Sequence, residues 1–325
     1  MKRVLITGGA GYIGSHTAKC LAAVGFEPVV FDNLSTGHAD FVRWGPFVQA
    51  DLANIEAVRE ALVKYKIDAV VHFAAFAYVG ESMRNPQKYF RNNVVNTLNL
   101  LEAMLACGVK TLVFSSTCAT YGLPRRLPLT ERHPQQPVNP YGESKLFVER
   151  VLRWYGEIHG LNWFALRYFN AAGADPGGGV GEDHSPETHL VPLVIEAALG
   201  QRASVEVFGT DYPTSDGTAI RDYIHVSDLA EAHRLALRHL AGGGDSGACN
   251  LGTGKGHSVM EVIHAVETVT GKRVTIVQAD RRAGDPPVLV ASNAKAWRVL
   301  GWRPRFPDLG TIVETAVAWH ASRSC

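Results

Sequence analysis

The stretch Thr7-Gly8-Gly9-Ala10-Gly11-Tyr12-Ile13-Gly14 constrains the fold of this chain more than any other. It follows an apolar run, Val4-Leu5-Ile6, that predicts a first β-strand. It precedes Ser15 to Val24, which has the composition of a helix. Gly9, Gly11 and Gly14 fit the G-x-G-x-x-G dinucleotide fingerprint, and Gly8, Gly11 and Gly14 fit a G-x-x-G-x-x-G variant. One glycine makes the tight turn, one lets the backbone approach a diphosphate, and one lets the helix pack on the strand. The helix N-terminus then offers free N–H groups and a partial positive charge. A second strand, Phe26 to Phe31, ends at Asp32, about 20 residues on, as the fingerprint requires. A carboxylate there bonds both ribose hydroxyls of NAD and repels the 2′-phosphate of NADP, so NAD is the expected cofactor.

Strands and helices alternate from there. Phe47 to Ala50, Ala69 to Phe73, Thr111 to Phe114 and Trp163 to Leu166 read as strands. Ile55 to Tyr65, Pro86 to Cys107 and Tyr141 to His159 read as helices. This rhythm predicts a Rossmann-type, doubly wound parallel sheet, whose ligands sit past the carboxyl ends of the strands. Asp32, Asp51, Phe73 to Phe76, Ser115 to Thr117 and Tyr168 to Asn170 fall there. The Gly- and Pro-rich run Ala171 to Pro186 reads as a crossing linker. The remainder mixes short strands (Val205 to Phe208, Tyr223 to His225) with helices (Ser227 to Leu240, Val259 to Thr270, Leu309 to Ala321). The expected division is a dinucleotide-binding domain over 1–175 and a smaller, mixed α/β substrate lobe over 176–325, with elements free to cross between them.

Composition narrows the function classes. Among 325 residues the formal net charge is +1, so no global basic field points to nucleic acid. No apolar run reaches the length of a membrane span, and from the immediate entry into a strand no leader is expected. The five cysteines (Cys20, Cys107, Cys118, Cys249, Cys325) are scattered and form no C-x-x-C pair, which predicts reduced thiols in a cytoplasmic protein. The thirteen histidines form no H-x-x-x-H or H-E-x-x-H pattern, so no metal site is expected. Gly252-Thr253-Gly254-Lys255-Gly256 imitates a phosphate loop, but glycine follows the lysine where Ser or Thr is required.

Tyr141-Gly142-Glu143-Ser144-Lys145 puts Tyr and Lys four apart at the start of a predicted helix, on one face. A free tyrosine has a pKa near ~10, too high for a base at neutral pH. A lysine ammonium and an oxidised nicotinamide nearby would favour the phenolate. Tyr141 could then take a proton from a sugar hydroxyl, with Lys145 also bonding the nicotinamide ribose. Thr117, leaving the buried strand just before this helix, is the candidate hydroxyl for the reacting oxygen. Cys118 has no histidine partner in a nearby motif, so small, buried packing accounts for it better than nucleophilic chemistry.

With these residues in view, the chain resembles the extended short-chain dehydrogenase/reductase family, and within it the UDP-hexose 4-epimerases. The resemblance runs nearly end to end. It includes TGGAGYIGSHT, FDN around Asp32, HFAA at His72 to Ala75, VGES at Val79 to Ser82, NNV at Asn92, FSST, YGESK and LRYFNAAGA. It continues through FG-x-DYPT-x-DGT, RDYIHV-x-DLA, NLGTG and RR-x-GD.

The resemblance implies cofactor contacts at Gly8, Gly11, Tyr12, Ile13, Gly14, Asp32, Asn33, Asp51, Leu52, Phe73, Ala74, Ala75, Asn92, Ser115, Lys145 and Phe169. It implies UDP-sugar contacts at Thr117, Tyr141, Asn170, Leu190, Phe208, Arg221, Tyr223, Arg282 and Asp285, and it places Leu289 beside the sugar's C2 substituent. Arg221 and Arg282 suit a diphosphate, which guanidinium pairs with bidentately. Two positions depart from the pattern. The usual catalytic Ser is Thr117, which keeps the hydroxyl. A lysine usual after HFAA is Ala77, which removes one cationic contact.

The implied activity is interconversion of UDP-glucose and UDP-galactose through oxidation at C4, rotation of the 4-keto sugar and hydride return. Other UDP-sugar 4-epimerases, for pentoses or N-acetylhexosamines, are the nearest alternative. A nucleotide-sugar dehydratase or decarboxylase is disfavoured, because dehydratases place Asp-Glu or Ser-Glu after the catalytic Thr, where Cys118-Ala119 stand. A non-enzymatic NAD sensor typically loses the active-site Tyr, which is intact. The resemblance also implies a homodimer through a four-helix bundle of the helices 86–107 and 141–159.

Overall fold

Val4 to Ile6 form the centre of β1 (Arg3–Thr7), and the glycine turn hands the chain to α1 (Tyr12–Ala23). β2 (Glu27–Asp32), β3 (Phe47–Gln49), α2 (Ile55–Lys64) and β4 (Ala69–His72) follow. Next come α3 (Val79–Arg84), α4 (Pro86–Tyr89), α5 (Asn96–Ala106), β5 (Thr111–Thr117), α6 (Pro140–His159) and β6 (Asn162–Tyr168). The computed structural model describes residues 1–282 and 285–323. Gly284 of the RR-x-GD run and Cys325 lie outside the described residues.

The strands pair in parallel in the order β3-β2-β1-β4-β5-β6, the doubly wound sheet expected from the sequence. The chain builds outward from β1 in one direction, returns, and builds outward from β4 in the other. The strand ends that diverge at this reversal leave the crevice where such sheets bind ligands. Every residue of β4 is buried, as in a sheet covered on both faces. Val58, Leu62, Leu100, Met104, Val148 and Leu152, from α2, α5 and α6, cover one face.

The remaining elements are β7 (Asn170–Ala172), α7 (Leu190–Ala198), β8 (Val205–Phe208), β9 (Ile220–His225), α8 (Val226–Ala241) and β10 (Gly247–Leu251). After these come β11 (Gly256–Ser258), α9 (Val259–Thr270), β12 (Ile276–Ala279), β13 (Val288–Leu289), α10 (Ala294–Leu300) and α11 (Leu309–Arg323). A small second sheet forms around β9, which pairs with β7, β11 and β13. α7, α9 and α11 enclose its core with Val194, Ile195, Val262, Ile263, Ile312 and Val313. The chain crosses between the two sheets. β10 returns to pair with β6 as the seventh strand of the first sheet. α8 packs beside α1 on that sheet's second face, through Ala18, Leu21, Leu229, Ala236 and Leu237.

The long helix predicted over 86–107 is not uniform. Between α4 and α5 the residues Phe90–Val95 form a π-helical segment. Wide turns of this kind recur at functional sites. Here Asn93 uses both ends of its amide on the backbone of Phe76, accepting from its N–H at 2.9 Å and donating to its carbonyl at 3.0 Å. It donates also to Ser144 on α6. The side-chain amide thus ties the segment after β4 to α6.

Candidate active site at the carboxyl edge of the sheet

The glycine turn is shaped by close backbone approach. Gly8 has φ +70°, and a Cβ there would sit 2.6 Å from the Ala74 amide nitrogen. A Cβ on Gly14 would meet the Gly8 carbonyl oxygen at 2.2 Å. Thr7 accepts from the N–H groups of Phe73 and Ala74, so the ends of β1 and β4 are stitched together at the reversal point. Gly11 is the N-cap of α1. It offers no side-chain cap, and the first turn, with Tyr12, Ile13 and Gly14, carries no acidic residue. The first N–H groups are left for an external anion.

Asp32 ends β2 and is buried. Its carboxylate accepts from Ala10 N at 3.0 Å and Leu34 N at 2.8 Å. Burial raises its pKa against the pull of these bonds. Asn33 donates to Asp51 at 2.6 Å, and Asn96, one turn beyond Asn92, approaches the same carboxylate. Leu52 is buried beside it, and Ala75 follows Phe73 and Ala74 past the end of β4. An anion-ready helix end, a buried carboxylate at the tip of β2 and a cradle that a Cβ would fill fit NAD.

The catalytic candidates stand at β5 and α6. Thr117 is the last residue of β5, and its hydroxyl accepts from Ala119 N at 3.1 Å. Asn139 caps α6 by accepting from Gly142 N, and Pro140 opens the first turn. Tyr141 and Lys145 follow one turn apart. Lys145 donates to the carbonyl of Ser115 at 2.9 Å and lies over the Phe114 ring, 4.9 Å from its centre. Ser115 Oγ and Tyr168 OH are 2.5 Å apart.

Lys145 by itself does not lower the Tyr141 pKa. Burial pushes the Tyr141 phenol up to about 12, and the hydrogen bond with Thr117 opposes it. Burial also pulls Lys145 down to about 7, against the attraction of Glu149. The ammonium is directed at a strand carbonyl, and its own desolvation weakens the charge it was expected to supply.

On the substrate side, Arg221 and Tyr223 lie on β9. Asn170 on β7 is in register with Tyr223, and Leu289 on β13 with Arg221. Arg221 pairs with Asp285 at 2.5 Å. Arg282 stacks its guanidinium 4.0 Å over Phe208, the last residue of β8. Leu190 opens α7 and packs on the lobe core. Phe169 and Leu289 pack against Cys118, Tyr121 and Leu129, which brings this lobe against the end of β5. Burial raises the Cys118 thiol well above its ordinary range, which suits packing rather than nucleophilic work.

The glycine loop after β10 has its amides already engaged. Asp222 accepts from the N–H groups of Thr253 and Gly254, and from the Thr253 hydroxyl. An internal carboxylate thus occupies donors that a phosphate would need.

Two features escaped the sequence reading. One is a buried network behind Thr117. Arg167 on β6 forms a two-pronged pair with Glu149 on α6, at 2.9 and 2.5 Å, and donates to Tyr121. Ser116 donates to Glu149, and Tyr121 donates to Asn250 on β10. The other is a group of possible metal ligands. Glu182, His184, Glu187 and His189 each bring one ligand atom within 4.8 Å of the others. Their E-x-H-x-x-E-x-H spacing was the available signal, with the two histidines five apart rather than four.

The NAD dependent epimerase/dehydratase family pattern matches residues 4–252. The chain is 53% identical to the UDP-glucose 4-epimerase of Rhizobium meliloti (strain 1021), over 99% of this chain and 98% of that protein. Among solved structures it superposes on the UDP-glucose 4-epimerase from Brucella ovis in complex with NAD. The TM-score is 0.96 at 52% identity, covering 98% of each chain. A UDP-glucose-4-epimerase from Stenotrophomonas maltophila, with bound NAD and formylated UDP-arabinopyranose, gives a TM-score of 0.96 at 41% identity. That match covers 100% of this chain and 99% of the other.

Lys145 makes a pH-dependent contribution to stability. Its pKa falls from 10.5 to about 7 on folding, so the native state binds fewer protons than the unfolded chain between those values. The cost of burying the ammonium is fully present below pH 7 and fades as pH rises toward 10.5. In nucleotide-free protein, the stability of wild type relative to Lys145→Met should therefore rise with pH across this window, by at most ~1.4 kcal/mol per pH unit. Urea denaturation of both proteins at pH 7 and 9.5 reads this; a difference independent of pH would count against it.

Proposed function

The chain belongs to the NAD dependent epimerase/dehydratase family, and on that premise we propose that it interconverts UDP-glucose and UDP-galactose. The observation that carries this reading is the full-length likeness to UDP-glucose 4-epimerases, combined with Thr117 at the end of β5 and Tyr141 in the first turn of α6. Gly8 to Gly14, Asp32, Asn33 and Lys145 would hold the cofactor. Bound NAD supplies a hydride acceptor and donor for C4 and, when oxidised, a positive charge that favours the Tyr141 phenolate.

The chain's own residues do the rest. Tyr141 takes the proton of the sugar 4-hydroxyl and returns it after the ring has turned. Thr117 holds the reacting oxygen and stabilises the phenolate. Arg221 and Arg282 anchor the diphosphate, so the 4-keto sugar can present its other face without leaving. Residues 1–175 serve mainly the dinucleotide and 176–325 the UDP-sugar.

The protein works as a homodimer in this reading. Phe147, Trp154 and Ile158 on α6, with Phe90 and Val95 in the preceding helical segment, are large apolar side chains left exposed on the helices expected to pair. Its free cysteines suit the cytoplasm, and no described helix is long and apolar enough to cross a membrane.

Incubation with UDP-galactose and no added cofactor should yield UDP-glucose, identified as the free sugar after mild acid. Tyr141→Phe should lower turnover by roughly 10²- to 10⁴-fold while NAD stays bound. Activity within a few-fold of wild type would remove Tyr141 from the base role, and no interconversion by wild type would remove the reaction itself.

Leu289 sets a second expectation. Its apolar side chain offers an acetamido group no hydrogen-bond partner, which costs on the order of 1–3 kcal/mol. UDP-galactose should therefore be preferred over UDP-N-acetylgalactosamine by roughly 10- to 100-fold in kcat/KM, and Leu289→Ser should narrow the gap. Equal values for the two sugars in wild type would overturn this.

A further inference from the structure

Four side chains outside the catalytic machinery converge on one point in the segment that leads into α7. We propose that Glu182, His184, Glu187 and His189 form a structural binding site for a divalent transition metal of the zinc type. Glu182 is buried, with a relative exposure of 4%, and its Oε1 has no hydrogen-bond partner. The Nδ1 atoms of His184 and His189 also lack one. Three buried polar atoms thus face one another as close imidazole–carboxylate contacts without hydrogen-bond alignment.

The spacing matches a four-coordinate metal. Zinc bonds of about 2.0–2.1 Å to imidazole and carboxylate place neighbouring tetrahedral ligands about 3.3–3.4 Å apart. Here His184 Nδ1 lies 3.3 Å from Glu182 Oε1 and 3.7 Å from Glu187 Oε2. The contact of His189 Nδ1 with Glu182 Oε1, at 2.6 Å, is that of an imidazolium and a carboxylate; it opens when a metal replaces the proton.

Glu187 is pre-positioned. Its Oε1 accepts from the N–H groups of Thr188 and His189, which leaves Oε2 for the metal. Two carboxylates balance the charge of a divalent cation, and two imidazoles select a transition metal over calcium or magnesium.

Four protein ligands close the coordination sphere, which makes the site structural rather than catalytic. The rings of Tyr12 and Tyr78 pack on it, 6.3 and 6.2 Å from His184. Tyr12 belongs to the first turn of α1 and donates to the Gly173 carbonyl. The metal would therefore brace the loop entering α7 against the helix that receives the dinucleotide.

The test uses full-length protein treated with chelator, desalted and titrated with zinc chloride. Retained zinc is measured after gel filtration, and the thermal midpoint is followed. One zinc per chain and a midpoint that rises with zinc concentration are expected. His184→Gln should reduce retained zinc by roughly tenfold or more, and Glu182→Gln likewise. No retention by wild type, or equal retention by the variants, would overturn the proposal. Should the variants fail to fold, cobalt(II) titration of wild type decides: visible bands of a four-coordinate site without a near-ultraviolet sulfur-to-cobalt band support it. A sulfur band would place the metal on cysteine and overturn it.

Discussion

The buried pair between Glu149 and Arg167 is the interaction on which the rest of the active edge depends. It joins α6 to β6, takes a further hydrogen bond from Ser116 on β5, and continues through Tyr121 to Asn250 on β10. Four elements are thereby held in one register directly behind Thr117. A buried pair of this kind gains little net stability, because desolvation offsets most of the attraction, but losing one partner is costly. Its consequence here is geometric. A helix turned by one residue, about 100°, would carry Tyr141 and Lys145 away from the end of β5.

With α6 so fixed, burial decides protonation. Tyr141 rises to about 12 and Lys145 falls to about 7 for one reason: both lose water. Each neutral form is favoured. His72 falls to about 3 for the same reason and serves as a neutral link, its ring nitrogens 2.6 and 2.8 Å from the hydroxyls of Thr7 and Thr97. The protein alone keeps its acid–base residue in the acid form. A cation bound next to the phenol is what makes it a base, which couples proton removal to the presence of oxidised cofactor.

Features whose physics is local were legible in the sequence. The glycine turn, Asp32 at the end of β2 and the Tyr–Lys spacing on α6 each depend on neighbours within a few tens of residues. The strand–helix rhythm implied the parallel sheet. Features that depend on distant partners were not legible. The π segment at Phe90–Val95 exists where Asn93 reaches Phe76 and Ser144. The return of β10 to β6 has no local mark, and neither does the use of Asp222 to fill the glycine loop. The share of burial in the Tyr141 shift was not legible either, because a sequence shows which charges are near but not how much water is lost.

The central claim is that Tyr141 is held as a neutral phenol by burial until a cation binds beside it. Titration of ring-labelled tyrosine by NMR, with Tyr141→Phe to assign the signal, measures this directly. In nucleotide-free protein the Tyr141 phenol should stay protonated to well above pH 10. With NAD bound it should ionise at distinctly lower pH. A phenolate already present near neutral pH without nucleotide, or a pKa unmoved by NAD, would contradict the account.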